Sequence, residues 1–271
     1  MHDASSLNDP ATPGPVPGAI PPSLTEDGFL NGRLRILQPE KGYRAGIDAV
    51  FLAASIPCGE GDHVFEAGIG TGVAALCLAH RVAKLQITGI EVAARYALLA
   101  EENASRNLGG APIRVIHADI KEALRRDLNL LPASGSMAHA FANPPYFEEG
   151  KATPSPVALK AGAHNFAAED LDILVKAMHG LLALRGTATL IYRADTLARL
   201  LATFEGRFGD ITVAPLFPRA GLAATRVIVQ GVKGSRAPLQ ILPGLILHGD
   251  DGKFTPQAEA ILREGAPWPM R

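Results

Sequence analysis

Apolar and polar positions alternate in short blocks along most of this 271-residue chain, and the period of the alternation changes from block to block. From Gly28 to Leu37 the residues alternate on either side of Asn31-Gly32, a strong hairpin signal. Ala49 to Ile56 is a helical apolar run, with Asp48 placed to cap its N-terminus. Beyond it the chain falls into a strand-helix rhythm. His63–Glu66, Leu85–Ile90, Ile113–Ile116, His139–Ala142 and Thr187–Tyr192 read as short buried strands. Helical signals cover Val73–His80, Ala93–Asn107 (closed by Gly109-Gly110), Lys121–Arg126, Glu169–Ala183 and Asp195–Phe204. Ile211–Leu216 and Arg226–Lys233 supply two closing strands. The pattern predicts a Rossmann-like α/β fold, a seven-stranded and mostly parallel sheet with helices on both faces.

The ends and one inner stretch break the rhythm. Residues 1–24, rich in Pro, Gly, Ala and Asp without apolar periodicity, are expected to form a disordered tail without a chemical role. Residues 25–57 form the hairpin and first helix, which the residues leave open as either a plain cap and loop or a lid over a ligand. The core is expected over 58–233, and 234–271 as a small C-terminal strand-helix appendage. Phe147 to Ala168 is a long connection with no periodic pattern, the usual mark of a functional lid.

Composition narrows the class. Hydrophobic residues make up 47% and charged ones 20%, enough apolar content for one large or two small packed domains and unlike a disordered or fibrous chain. The net charge of −1 excludes a globally basic nucleic-acid coat, so contact with nucleic acid needs a local patch. Such a patch exists between Arg185 and Arg236, where eight basic residues face three acidic ones. Arg193, just past a strand, and Arg219, in the last hairpin, fall where the mouth of a site should lie. Cys58 and Cys77 make neither a disulfide framework nor a metal cluster and point to a reducing cytoplasm. No secretory leader is recognisable, and no apolar run approaches the roughly 20 residues of a membrane span. None of these signals sets an oligomeric state.

Two motifs carry chemistry. Phe141-Ala142-Asn143-Pro144-Pro145-Tyr146 ends a buried strand on two prolines, which forbid both a ladder hydrogen bond and a helix. The backbone after Asn143 is therefore stiff, so the carboxamide and the Pro144 carbonyl can accept two hydrogen bonds from one planar amine beside the Tyr146 ring. Read alone, the tetrapeptide is equally a proline turn with a buried tyrosine. Upstream, Glu66-Ala67-Gly68-Ile69-Gly70-Thr71-Gly72 joins a strand to a helix N-terminus, the crevice where α/β sheets bind cofactors. A dinucleotide fingerprint would need glycine at position 73, which is Val73, and the Glu66 carboxylate suits an ammonium group while repelling a pyrophosphate. Glu91 ends the next strand, about twenty residues on, where a carboxylate can accept both ribose hydroxyls. Asp119 follows the third strand, where a helix cap is one use for it, and His117 reads as structural.

Together these motifs resemble the S-adenosylmethionine-dependent amino-methyltransferases, and over roughly Thr25 to Glu264 the chain is similar to the bacterial tRNA adenine-N6 methyltransferases that modify the adenine beside the anticodon of valine tRNA. The resemblance rests on Gly46-Ile47-Asp48, Glu66 to Gly72, Asp119, Asn143 to Phe147 and Arg226 to Gly234. It implies a class I methyltransferase fold. It also implies S-adenosyl-L-methionine as cofactor, with S-adenosyl-L-homocysteine as product. Glu66, Ala67, Gly68, Gly70, Gly72, Glu91, Asp119 and Asn143 would hold the cofactor, and Asp119 would accept its adenine amine. Asn143, Pro144, Pro145 and Tyr146 would be catalytic, and Tyr146, Phe147, Arg193 and Arg219 would bind RNA, with no metal required. Rival readings are a protein glutamine N5-methyltransferase, an adenine methyltransferase of ribosomal RNA or DNA, and a non-catalytic cofactor-binding adaptor on RNA.

Overall fold

The computed structural model describes residues 23–108, 113–125, 129–145 and 168–270. Residues 1–22, which hold the proline-rich tail, and 146–167, which hold Tyr146, Phe147 and the expected lid, lie outside the described residues. Strands β1 (Leu24–Phe29) and β2 (Leu34–Pro39) pair antiparallel as the expected hairpin, and the chain reverses through left-handed Leu30, Asn31 and Gly32. Helix α1 (Ile47–Ser55) follows, with Gly46 rather than Asp48 at the capping position. The helix starts one residue before Asp48. Its carboxylate consequently stands in the first turn, where the Arg226 guanidinium engages Oδ2 at 2.9 Å.

The central sheet takes β3 (His63–Ala67), β4 (Gln86–Glu91), β5 (Ile113–His117), β6 (Met137–Ala142), β7 (Leu182–Arg193), β8 (Phe208–Arg219) and β9 (Arg226–Lys233) in the order β5-β4-β3-β6-β7-β9-β8. All pairings inside it are parallel except those of β9, which runs antiparallel between β7 and β8. Helices α2 (Val73–Arg81), α3 (Ala94–Leu108), α4 (Ile120–Ala123), α5 (Ala168–Leu181) and α6 (Leu197–Phe204) connect these strands. The C-terminal stretch goes further than an appendage laid on the sheet, because β10 (Gln240–Ile241) and β11 (Leu245–His248) both pair with β8 and lengthen the sheet to nine strands. A short helix α7 (Pro256–Glu259), capped by Thr255, then brings the chain back to α1, where the Trp268 N–H donates to the Ala54 carbonyl. No helix among the described residues is long and apolar enough to cross a membrane.

Near-continuous apolar strands make sense because successive residues feed opposite cores. Val64, Phe141, Ile191 and Ile228 pack with α1, α2 and β2 on one face. Phe65, Ala140, Ala142, Leu190 and Val229 pack with α5 and α6 on the other. The hairpin is attached to this sandwich through side chains. Asn103 of α3, completely buried, accepts from the Leu37 N–H at 2.8 Å and donates to the carbonyls of Leu37 and Thr71 at 3.0 and 2.9 Å. One turn later Asn107 repeats the exchange with the N–H and carbonyl of Arg35. Two carboxamides thus take the place of a neighbouring strand along the edge of β2, and the same Asn103 grips the glycine loop.

Asn103→Ala strands three buried backbone groups and is expected to destabilise the fold by about 3 kcal/mol in urea unfolding. Cleavage by protease should then appear within the hairpin and the 40–46 loop before the sheet opens.

Candidate active site

The glycine loop is built from backbone first. Gly68, Gly70 and Gly72 adopt φ of +74°, +56° and +85°, a left-handed succession that side chains resist. The N–H groups of Gly68 and Ile69 both donate to the Ile90 carbonyl, at 2.9 and 3.0 Å, which folds the loop across the end of β4. Gly89 makes this possible: a Cβ there would lie 2.5 Å from Ile69 Cδ1, so its absence leaves the notch that seats Ile69. From this seat the Gly70 N–H reaches Glu91 Oε2 at 3.0 Å, while Glu91 Oε1 accepts from Ala93 at 2.9 Å.

Three acids stand at this end of the sheet. Glu66 is buried, with one carboxylate oxygen lacking any hydrogen-bond partner among the described residues. Burial drives its carboxyl well above the usual range; the Ala75 N–H opposes this and the neighbouring Glu91 adds to it. Glu91 is likewise raised by burial, against the pull of the Ala93 and Gly70 N–H groups. Asp119 caps α4, its Oδ1 accepting from the Lys121 N–H at 2.8 Å. The Tyr43 ring lies over Gly70, its Cε1 3.1 Å from where a Cβ would stand, and its backbone N–H donates to Tyr96 Oη at 3.0 Å. Although the Tyr43 residue is 41% exposed, its hydroxyl is raised by local desolvation first and then by the negative fields of Glu66 and Glu91.

The proline motif stands one strand away. Ala67 and Ala142 are register partners, which sets Gly68 and Asn143 side by side at the strand ends, about 4.8 Å apart. A pocket of about 750 Å³ opens there between the 43–48 segment, Asn143-Pro144-Pro145, Arg193, Thr225, Arg226 and Leu247. Arg193 is fixed by Asp195 through Nε at 3.0 Å and through Nη2. Arg219 stands exposed at the tip of β8 on the same edge of the sheet, and it does not line the pocket. Across the sheet the strand ends then carry Asp119, Glu91, Glu66, Asn143, Arg193 and Arg226, following the order β5-β4-β3-β6-β7-β9. Buried Glu66 and Glu91, with Asp119, occupy one half, the Arg193–Asp195 and Arg226–Asp48 ion pairs the other, and the carboxamide the boundary.

Sequence reasoning passed over Tyr43, Gly89, Asn103 and Arg226 as contributors to the site. Gly89 had a signal, a lone glycine inside a strand. Asn103 had one too, a carboxamide on the buried stripe that Tyr96 and Ala100 define. Arg226 stood in the basic stretch and opened the Arg226 to Gly234 segment, but nothing in the sequence joined it to Asp48, 178 residues away.

The strand order, with β9 antiparallel between β7 and β8, and the glycine loop after β3 are those of the class I methyltransferase fold. The fold is shared with a crystal structure from Agrobacterium tumefaciens described as a predicted O-methyltransferase, at TM-score 0.69 and 24% identity over 82% of this chain and 98% of that one. In sequence the chain is similar to bacterial proteins named tRNA1(Val) (adenine(37)-N6)-methyltransferase. That of Aeromonas hydrophila is 25% identical over 84% of this chain and 92% of its own length, and that of Dickeya chrysanthemi 25% identical over 90% and 95%. No protein-family model matches the chain.

A glutamate whose folded pKa lies above the ordinary 4.5 binds more protons folded than unfolded, so its charge lowers stability as pH rises past that ordinary value. Glu66→Gln is therefore expected to gain stability over the parent as pH goes from about 5 to about 8 in thermal melts, while losing affinity for S-adenosylhomocysteine. Gly89→Ala should unseat Ile69, weakening the same affinity by about tenfold or more in calorimetric titration with a destabilisation of about 1–3 kcal/mol.

Proposed function

We infer that the chain methylates the exocyclic N6 amine of adenine in RNA, with tRNA near the anticodon as substrate. The observation that carries this reading is the division of the sheet edge. Glu66, Glu91 and Asp119 present acceptors to a donor-rich cofactor; Asn143 and the Pro144 carbonyl present acceptors to a planar amine; and Arg193 and Arg226 present cations where a polyanion would lie. The sequence relatives point to the same substrate.

The residues present fit the cofactor. The unpartnered Glu66 oxygen suits an ammonium group, Glu91 suits ribose hydroxyls, and Gly68 leaves open space where a Cβ would stand. When bound, S-adenosyl-L-methionine supplies an electrophilic methyl group on a sulfonium. The rest falls to the chain. Asn143 Oδ1 and the Pro144 carbonyl would each hold one hydrogen of the amine, orienting its lone pair along the line of transfer. Conjugation with the ring makes that amine a poor nucleophile, and the two acceptors hold it more strongly as the nitrogen turns tetrahedral and gains positive charge. The N–H then becomes acidic enough to give up its proton to solvent, so no strong base is required. Tyr146 and Phe147 would stack on the extruded base, a contact worth roughly 1–3 kcal/mol. A base in a loop is already partly unstacked, which lowers the cost of extrusion.

The test is transfer of labelled methyl from S-adenosylmethionine into bulk bacterial RNA and, separately, into protein. The expected product is N6-methyladenosine in the tRNA fraction; label found only as methylated protein glutamine would overturn the reading. Asn143→Ala is expected to lower kcat by about 10²- to 10³-fold while S-adenosylhomocysteine binding holds within about twofold.

A further inference from the structure

The geometry points to a clamp for the phosphodiester backbone beside the acceptor base, made by Arg193 and Arg226 and held ready by Asp195 and Asp48; it rests on reading the pocket as a nucleic-acid acceptor site. Arg193 and Arg226 are direct register partners across the antiparallel β7–β9 pair. Like charges opposed in this way repel, and a fold that needed only packing there would not keep both. Each instead has its own carboxylate: Asp195 engages Arg193 Nε and Nη2, and Asp48 engages Arg226 Nε at 2.9 Å. Asp195 is held below the carboxylate range by the Arg193 hydrogen bond first, with the Arg226 charge adding to it. Arg193, Arg226 and Asp48 thus stand in the pocket wall, with Asp195 behind Arg193 outside the lining.

That group is suited to exchange. The side chains of Arg193 and Arg226 are 31% and 30% exposed, and pairs so open to water contribute little to stability. A phosphodiester offers a guanidinium the paired anionic oxygens that a carboxylate offers, so one can be traded for the other or shared. Position selects these residues from the basic stretch around them. Arg207, paired with Asp172, and Lys233, on the His179 and Leu182 carbonyls, do not line the pocket, whereas Arg193 and Arg226 line it with Asn143. The strands β6, β7 and β9 are consecutive, so a base held at Asn143 leaves its sugar-phosphate chain over the next two strand ends, about 4.8 Å apart each. Asp48 and Asp195 act as a filter, since only an anion able to replace them gains the site.

The experiment measures binding of bulk bacterial tRNA to the full chain between about 50 and 300 mM KCl, alongside S-adenosylhomocysteine titration and thermal melting. Arg193→Ala and Arg226→Ala are each expected to lower the slope of log affinity against log salt by about 0.7–0.9, with cofactor affinity unchanged. Arg226→Lys should keep the slope and lose several-fold in affinity, and Asp195→Asn should tighten binding several-fold. Unchanged slopes in both alanine variants, or a weakened Asp195→Asn, would show a structural strut and overturn the clamp. A parent protein that binds tRNA without salt dependence would instead overturn the reading of the pocket on which the clamp rests.

Discussion

The seating of residues 68–72 on the end of β4 is the contact from which the site is assembled. The Ile90 carbonyl takes two N–H groups of the loop at once, and the missing Cβ of Gly89 gives Ile69 its place on the sheet. With those fixed, the loop has one path. It sends the Gly70 N–H to Glu91, starts α2 at Gly72, and leaves Gly68 next to Asn143 through the Ala67 and Ala142 register. A shift of β3 by one residue against β6 would turn every side chain to the opposite core as well, so the spacing of loop and motif is held by the burial of both faces.

Buried polar side chains carry that order outward to the N-terminal segment. Asn103 binds the Thr71 carbonyl with one hydrogen and β2 with the other, and Gln38 exchanges hydrogen bonds with the 45 backbone in both directions. Gln230, fully buried in β9, donates to the Ser55 carbonyl at the end of α1 and to Thr189. Each of these groups would be costly if left alone, which makes hairpin, first helix and sheet stand or fall together. The hairpin and α1 thereby belong to the site physically, since the loop between them contributes Tyr43 and the first turn of α1 contributes Asp48 to its walls.

Charge is distributed along the sheet edge by strand order rather than by sequence. Residues 66 and 91 lie on β3 and β4 and 119 just past the end of β5, all to one side of β6, and 193 and 226 lie on the two strands to the other. Burial makes Glu66 and Glu91 reluctant to ionise, so their full charge is realised only against a donor or a cation brought to them. The guanidiniums meet the opposite situation, already matched by carboxylates in contact with water. One half of the site is thus poised for a buried ligand and the other for an exchangeable one.

The strands, the helices and the two central motifs were legible in the sequence because each depends on neighbours a few residues apart. Period, glycine spacing and a proline pair are local constraints on backbone conformation, and Glu66 to Gly72 and Asn143-Pro144-Pro145 fall at the strand ends their patterns require. What the chain could not show in one dimension were contacts between distant segments. Asp48 has every mark of a helix cap until Arg226 is brought to it by the antiparallel return of β9; Asn103 is one polar residue on a helix until β2 lies against it; and β10 and β11 become sheet strands only because β8 offers them an open edge. Local sterics determined the elements and the motifs, and the packing of buried polar and charged groups, which have no sequence period, decided how those motifs face one another.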